Sequence, residues 1–264
     1  MKLNILDRIV SDKRREVASK NSMLPLGFIK ESPLMKRKTM SLSNSIKSGS
    51  GVIAEFKRRS PSKQVINHKS SIIDVVKDYV VAEVSGISVL TDTKYFGGAL
   101  DDLIQARDQV KVPLLRKEFI IDSYQIYESK AFGADAILLI AAVLKPEEIY
   151  SFSQLAHALD LEVLLEIHNE EELHKSDLNY VDMVGVNNRN LKTFEVSLQT
   201  SMELSAKIPD DKVKISESGI SSIASITQLK DYGYKGFLIG ENFMRTDDPG
   251  KAALEFIKEL ENEN

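Results

Sequence analysis

The chain contains eight short apolar runs, and the segments between them have the periodicity of amphipathic helices. The runs are GVIAEF (51–56), GISVL (86–90), VPLLRK (112–117), DAILLI (135–140), EVLLEI (162–167), DMVGV (182–186), KVKISE (212–217) and KGFLIG (235–240). Their starts lie 20 to 35 residues apart, which is the spacing of parallel strands that are each followed by a crossover helix. Eight such units predict a closed (β/α)₈ TIM barrel.

An open, doubly wound α/β sheet is the main alternative to the barrel. Such a sheet usually carries a glycine-rich phosphate turn after its first strand, but this chain has KRRSPSK at that place. The length of 264 residues also suits a barrel, because single-domain barrels of about 250 residues are common. We therefore favour the closed barrel.

The first 48 residues or so precede these runs and do not fit the repeat. Ile9, Val10 and Val17 give this segment an amphipathic character, which predicts helices packed on the barrel. We expect a single domain over 1–264, with a helical extension at 1–48 and the barrel at 49–264. A hydrophobic content of 42% provides enough apolar material for one large core.

Charge and hydropathy restrict the partners of the chain. The formal net charge is −4, so there is no general attraction to nucleic acid or to an anionic membrane. The longest apolar runs have about eight residues, well below the roughly 20 that a bilayer-spanning helix needs. The amino-terminal sequence lacks the apolar core of a signal peptide and contains three acidic residues in its first 16 positions. We expect a cytoplasmic monomer with no nucleic-acid or membrane partner.

The residue types that usually bind metals are scarce. There is no cysteine, so neither a disulfide framework nor a cysteine-ligated metal site can form. His168 can face the same side of its strand as Glu166, but the other three histidines fall in loops or helices. None of the four has the spacing of a metal site, and we predict none.

Polar side chains stand at the carboxyl ends of five of the eight runs. Because side chains alternate along a strand, Glu55 and Lys57 share one face while Ala54 and Phe56 share the other. The outer face of a barrel meets helices and is apolar, so Glu55 and Lys57 should point inward at the carboxyl-terminal mouth. The other four runs contribute Lys117, Glu166, Asn187 and Glu217.

Each of these residues alone is most simply a solvated residue at the rim of the barrel. Together they bring three carboxylates, two ammonium groups and an amide to one concave surface. Such a set is costly to remove from water unless its members are paired and used. The pattern therefore predicts a catalytic site.

Glycines follow the seventh and eighth strands, at the place where barrels often bind phosphate. Ser218 and Gly219 follow the seventh strand, and Gly240 and Glu241 follow the eighth. One such glycine can be simple turn chemistry, but the pair at these two positions favours a phosphate site. Phe96 and Phe119, just beyond the second and third strands, are equally compatible with an aromatic pocket wall and with ordinary packing.

Eight stretches of sequence extend this interpretation over nearly the whole chain. They are LDRIVSDKRREVA, IAEFKRRSPSK, SVLTDTKYFGGALDDL, PLLRKEFIIDSYQIYESKAFGADAILLIAA, LLEIHNEEEL, VGVNNRNLKTFEV, SESGI and FLIGENFMR. In this order they resemble the indole-3-glycerol phosphate synthase family of tryptophan biosynthesis. The resemblance implies a (β/α)₈ barrel whose amino-terminal extension covers the mouth. It also implies closure of the phosphorylated small molecule 1-(2-carboxyphenylamino)-1-deoxyribulose 5-phosphate to indole-3-glycerol phosphate, with loss of carbon dioxide and water and without cofactor or metal.

The resemblance also implies roles for the residues at the mouth. Lys117 in LLRKEF would be the general acid that protonates the substrate carbonyl, and Glu166 in LLEIH would be the acid/base partner in dehydration. Lys57 would be a second cation close to the substrate. The residues that would orient the lysines and stabilise developing positive charge are Glu55, Asn187 and Glu217.

Further residues would bind the two ends of the substrate. Arg189 would pair with the substrate's aromatic carboxylate. The groups that would surround the phosphate are Ser60, Gly219, Gly240 and the backbone of Glu241. Gln64 departs from the family, which commonly has glycine after SPSK, and the acidic side chain of Glu241 would have to turn away from the phosphate.

The chemistry also leads to an expectation for the lysines. A lysine whose pKa is lowered by neighbouring cations is a better general acid at neutral pH than a lysine in water.

Two other functions stay open from the sequence alone. One is another phosphosugar barrel such as an isomerase, although the Cys/Asp pair expected there is excluded by the absence of cysteine. The other is a non-catalytic phosphosugar-binding barrel, which would be free to lose the polar residues at the mouth.

Overall fold

Eight parallel strands pair in chain order and close into a barrel in the computed structural model, which describes residues 5–190 and 193–263. The strands are β1 (Val52–Phe56), β2 (Gly86–Leu90), β3 (Leu114–Lys117), β4 (Ala136–Ile140), β5 (Glu162–Ile167), β6 (Met183–Asn187), β7 (Val213–Glu217) and β8 (Gly236–Ile239). Seven of the eight apolar runs contain a whole strand and the sixth contains all of β6 except its last residue, Asn187, so the predicted (β/α)₈ barrel is confirmed. The open-sheet alternative is wrong because β1 pairs with β8.

Helices follow the strands and surround the barrel. Before β1 come α1 (Ile5–Met23), α2 (Leu26–Lys30), a 3₁₀ helix (Pro33–Lys36) and α3 (Leu42–Ser48). The later helices are α4 (Ile72–Val81), α5 (Thr93–Phe96), α6 (Leu100–Gln109), α7 (Ser123–Ala131), α8 (Pro146–Ala158), α9 (Glu170–His174), α10 (Gln199–Ser205), α11 (Ile223–Asp231), α12 (Glu241–Met244) and α13 (Pro249–Asn262). Within the described ranges, no helix combines the length and the apolar character that crossing a membrane requires.

The two faces of each strand belong to different parts of the core. Ala54 and Phe56 of β1 pack in the apolar layer between the barrel and its helices. Ile53 packs instead inside the barrel, together with Leu115 of β3 and Ile215 of β7. This alternation is the period of two that the sequence predicts, and it fixes which residues of each strand point into the mouth.

The helices before β1 pack on the barrel at both of its ends. Leu42 and Ile46 of α3 join the cluster inside the barrel that contains Ile53. At the opposite end, Ile5 and Ile9 of α1 line the cavity at the mouth. The extension therefore supplies part of the wall of the candidate site.

Candidate active site at the carboxyl-terminal mouth

A cavity of about 350 Å³ opens at the carboxyl-terminal mouth of the barrel. This volume lies within the range of small-molecule sites. All fourteen residues that the sequence singles out line it: Glu55, Lys57, Ser60, Phe96, Lys117, Phe119, Glu166, Asn187, Arg189, Glu217, Ser218, Gly219, Gly240 and Glu241. The structure thus brings these residues together around one cavity.

Lys117 lies at the centre of the polar cluster. Its Nζ is 3.3 Å from Oε2 of Glu166 and in direct contact with Oε2 of Glu217. All three side chains are largely buried, so the ion pairs act in a low-dielectric environment. A second pair lies beside them, since Nζ of Lys57 is 2.7 Å from Oε1 of Glu55.

The expectation of a lysine with a lowered pKa is wrong for Lys117. Burial alone would lower its pKa, but attraction to Glu217, Glu166 and Glu55 outweighs burial and raises the pKa above its ordinary value. The reason lies in barrel geometry, because alternate strands contribute side chains to one layer. Strands β1, β3, β5 and β7 thus surround one ammonium group with three carboxylates.

The two carboxylates that contact Lys117 differ in pKa. Burial, together with the repulsion of Glu166, raises the pKa of Glu217 to about 7 although Lys117 acts in the opposite direction. Burial also acts to raise the pKa of Glu166, but Lys117 and His168 outweigh it and hold that pKa below its ordinary value. Glu166 is therefore ionised at neutral pH, while Glu217 can gain or lose a proton there.

Gly185 shapes this cluster, and the sequence analysis missed it. A Cβ atom at this position in β6 would lie 2.4 Å from Oε1 of Glu217 and 3.1 Å from Leu164. The Glu217 side chain therefore occupies space that every other residue type at position 185 would fill. A glycine inside a strand is a signal of such a close approach, and it is visible in the run DMVGV.

Replacing Gly185 with alanine is expected to lower kcat roughly tenfold, since the added methyl group displaces the Glu217 carboxylate from Lys117. Overpacking should also lower the free energy of unfolding by about 1–3 kcal/mol. Steady-state kinetics and urea unfolding measure the two effects. Gly27→Ala is the matched control, because a Cβ there meets nothing within 4 Å. A Gly185→Ala enzyme with wild-type kcat would show that the position of Glu217 is unimportant.

Gly240 makes room for the Glu55 carboxylate, as Gly185 does for that of Glu217. A Cβ atom at Gly240 would lie 2.6 Å from Oε1 of Glu55. The other carboxylate oxygen of Glu55 accepts a hydrogen bond of 3.4 Å from the hydroxyl of Ser88 on β2. The glycine predicted for phosphate binding thus also makes room for Glu55 beside Lys57.

The turn after β7 has a backbone that favours glycine. Ser218 and Gly219 both have positive φ angles, 67° and 78°. A Cβ at Gly219 would also lie 2.4 Å from Val196 in the loop that follows β6. This glycine is therefore needed for conformation and for close packing, and it places the turn against the cavity.

The acidic side chain of Glu241, the first residue of α12, forms an ion pair with a lysine. Its Oε1 lies 3.1 Å from Nζ of Lys63, in the loop that follows β1. Lys63 is held in turn by two backbone hydrogen bonds with Ser60, of 2.8 and 3.0 Å. The carboxylate next to the predicted phosphate site is thereby partly neutralised by a residue of the first loop.

Two aromatic rings and an arginine complete the cavity. The rings of Phe96 and Phe119 lie 6.0 Å apart between centroids, a tilted contact within the preferred range for aromatic pairs. Both rings line the cavity, so the structure brings them to its wall. Arg189 is held by a 3.0 Å hydrogen bond from its backbone N–H to Asn187 and by a 3.1 Å bond from Nη1 to the carbonyl of Phe194.

Lys13 of α1 is a second residue that the sequence analysis missed. It is buried, and its ammonium group lies 3.0 Å from Asp92 and 3.1 Å from Glu118, which follows Lys117 directly. These ion pairs fix α1 against the loops after β2 and β3. The sequence shows the charges of SDKRREV but not their partners, which are about 80 and 100 residues away.

His168 lies at the edge of the same polar cluster, whereas the other histidines stand elsewhere. Its Nδ1 is 3.1 Å from Oε2 of Glu172, and its Nε2 is 3.6 Å from Oε1 of Glu166. Across the described ranges, no group of three or more His, Asp or Glu side chains is arranged to hold a metal ion.

Comparisons with known proteins give relatives along nearly the full chain. A sequence model described as indole-3-glycerol phosphate synthase matches residues 6–256. An indole-3-glycerol phosphate synthase of Bacteroides thetaiotaomicron is 44% identical over 259 residues, which cover 98% of this chain and 99% of that protein. An indole-3-glycerol phosphate synthase of Polaromonas sp. strain JS666 is 42% identical over 259 residues, which cover 96% of this chain and 98% of that protein.

Solved structures share the fold at much lower identity. Tryptophan synthase subunit alpha from Legionella pneumophila superposes with a TM-score of 0.60 at 12% identity, over 84% of this chain and 97% of that one. Thiamine phosphate pyrophosphorylase from Pyrococcus furiosus superposes with a TM-score of 0.62 at 14% identity, over 84% of this chain and 98% of that one. At sequence identities this low, the structural similarity shows a shared fold alone.

Proposed function

The chain belongs to the indole-3-glycerol phosphate synthase family, and we propose how its own residues carry out the reaction of that family. Members are decarboxylating lyases of tryptophan biosynthesis that act on a phosphorylated small molecule. The substrate is 1-(2-carboxyphenylamino)-1-deoxyribulose 5-phosphate, and the products are indole-3-glycerol phosphate, carbon dioxide and water. The observation that carries the proposal is the contact of the buried Lys117 with both Glu166 and Glu217 in the cavity.

Ring closure is the first step. The ring carbon that bears the carboxylate attacks the ketone carbon, and the carbonyl oxygen gains negative charge as the new bond forms. Lys117 donates a proton to this oxygen. Its raised pKa keeps it protonated at neutral pH, and the developing alkoxide is basic enough to take the proton from an ammonium group. Glu217 lies in contact with Lys117 and, as an ionised carboxylate, orients its ammonium group.

Loss of carbon dioxide and water follows. The C–C bond to the carboxylate breaks, and its electron pair neutralises the cationic ring, so that the aromatic ring is restored without an electron-accepting cofactor. Dehydration then needs an acid for the departing hydroxyl and a base for the proton on the neighbouring carbon. Glu166 takes that proton as an ionised carboxylate, and Lys57, a second cation that lines the same cavity, protonates the departing hydroxyl. Glu55 orients Lys57, and Asn187 hydrogen-bonds to Glu166.

Binding at the two ends of the substrate positions it for ring closure. The phosphate lies at the turns of Ser218, Gly219 and Gly240, with Ser60 and the backbone of Glu241 beside it. Arg189 pairs with the carboxylate of the aromatic ring. The ring itself packs on Phe96 and Phe119. Such remote contacts supply the energy that holds the ring carbon against the carbonyl carbon.

The direct test is to incubate the purified protein with this substrate and to follow the fluorescence of indole-3-glycerol phosphate between about pH 6 and 9. We expect product without any added metal ion. Complete absence of product over the whole pH range, from protein shown to be folded by circular dichroism, would contradict the proposed function.

The pKa of Glu217 predicts how the rate depends on pH. The ionised carboxylate holds Lys117 in place, so kcat should fall as the pH drops through about 7 and Glu217 takes up a proton. In Glu217→Gln this acid limb should disappear or move to lower pH, where Glu166 is protonated instead. The kcat–pH profiles of both enzymes decide the matter. An unchanged acid limb in the variant would assign the titration to another group.

Three further expectations stay proposals. We propose that the whole chain forms one domain, which the packing of α3 inside the barrel and of α1 at its mouth supports. We also propose that the protein is a monomer that acts in the cytoplasm, where its pathway would operate.

A further inference from the structure

His168 belongs to a row of three titratable side chains that ends at the active site. Glu172 of α9 contacts the ring at one nitrogen, with 3.1 Å between Oε2 and Nδ1. The same carboxylate oxygen accepts the backbone N–H of His168 at 2.8 Å. The opposite nitrogen, Nε2, lies 3.6 Å from Oε1 of Glu166. The ring is thus fixed on the side of Glu172 and faces the catalytic carboxylate on the other.

The Nε2 atom is buried, and it has no hydrogen-bond partner among the described residues. Leaving a buried polar atom without a partner destabilises the folded protein. The carboxylate of Glu166 is the acceptor that this atom faces, at 3.6 Å, slightly beyond hydrogen-bond distance. Lys117 contacts the other oxygen of that carboxylate, so Glu166 stands between an ammonium group and an imidazole.

We propose that His168 is a positioning residue, which is oriented by Glu172 and holds the Glu166 carboxylate between itself and Lys117. The inference rests on the proposed function, because it assigns His168 a role that acts through Glu166. In the positively charged form, the ring donates one N–H to Glu172 and the other to Glu166. Glu166 then keeps one orientation while protons move at the neighbouring substrate.

The charges around the ring favour this form. Burial by itself would lower the pKa of His168, but the hydrogen bond to Glu172 and the charges of Glu166 and Glu217 outweigh it and raise the pKa above the ordinary 6.5. These carboxylates belong to α9, β5 and β7, and Lys117 of β3 opposes them from beyond Glu166. As the pH rises through this raised pKa, the ring loses its charge and releases Glu166. The kcat of the enzyme should therefore decline on the basic side.

The test combines an NMR titration with kinetics. Imidazole resonances of the full-length protein should give His168 a pKa above 6.5, and Glu172→Gln should bring it down, since an amide accepts the hydrogen bond without the charge. His168→Asn should lower kcat about tenfold, with KM nearly unchanged, and should remove the basic limb of the kcat–pH profile. The control is His157→Asn, because His157 pairs with Asp182 on the outside of the barrel and should leave kcat unchanged.

The outcomes separate this inference from the proposed function. A His168→Asn enzyme with wild-type kcat and an unchanged pH profile would overturn the inference, and so would an ordinary pKa for His168. If Glu166→Gln is inactive in the same assay, the proposed function stands even when the His168 inference fails. If Glu166→Gln keeps full activity, the role of Glu166 fails, and the inference fails with it.

Discussion

Replacement of Lys117 by alanine is expected to lower kcat by roughly 10²-fold or more, which is the usual contribution of a general acid. Without the ammonium group, no proton is delivered to the carbonyl oxygen while the ring closes. KM should change less than kcat, because other residues of the cavity are proposed to bind the phosphate and the carboxylate. Steady-state fluorescence kinetics with the purified variant measure both constants.

A second variant and a control make this result specific. Lys117→Arg keeps the positive charge beside Glu166 and Glu217, but a guanidinium group does not give up its proton at neutral pH. We therefore expect Lys117→Arg to fold and to lose activity as well. Lys251→Ala is the matched control, because Lys251 is 68% exposed on α13 and does not line the cavity. Activity close to wild type in Lys117→Ala would remove this residue from the mechanism.

The second large effect is expected for Glu166→Gln, with a loss of kcat of about 10²-fold. Glutamine has nearly the same shape as glutamate but cannot take the proton that dehydration removes. The proposed mechanism assigns ring closure to Lys117, which this variant retains, so an intermediate that has lost carbon dioxide but not water should accumulate. Single-turnover experiments with mass-spectrometric detection would reveal it.

Glu162→Gln provides the control on the same strand. Glu162 begins β5 at the opposite end of the barrel, where its carboxylate accepts hydrogen bonds from Ser41 and Ser43. Its substitution should change stability more than kcat. A Glu166→Gln enzyme that turns over at the wild-type rate, without any accumulating intermediate, would contradict the role given to Glu166.

The sequence predicts the barrel because two periodicities agree along the chain. Apolar runs recur at the spacing of βα units, and alternation within each run separates an outer from an inner face, as Phe56 and Ile53 illustrate in β1. The same alternation directs Glu55 into the cavity at the mouth. These are local properties of short segments, so a single sequence contains them.

Contacts between distant segments could not be predicted in the same way. The pKa of Lys117 depends on which strand ends share its layer of the barrel, and three carboxylates from odd-numbered strands, not neighbouring cations, decide its direction. Lys13 pairs with Asp92 and Glu118 only after α1 has docked on the barrel. Gly185 is the exception, since a glycine inside a strand is visible in the sequence and signals a close approach such as that of Glu217.

The crystal structure of the protein with indole-3-glycerol phosphate bound tests the central claim most directly. That claim is that Lys117 and Glu166 face the reacting atoms while the turns after β7 and β8 hold the phosphate. We predict that the phosphate lies within about 3 Å of the backbone N–H groups of Gly219 and Gly240, and that the indole ring lies beside Lys117 and Phe119. A phosphate bound next to Lys117, or product bound outside this cavity, would contradict it.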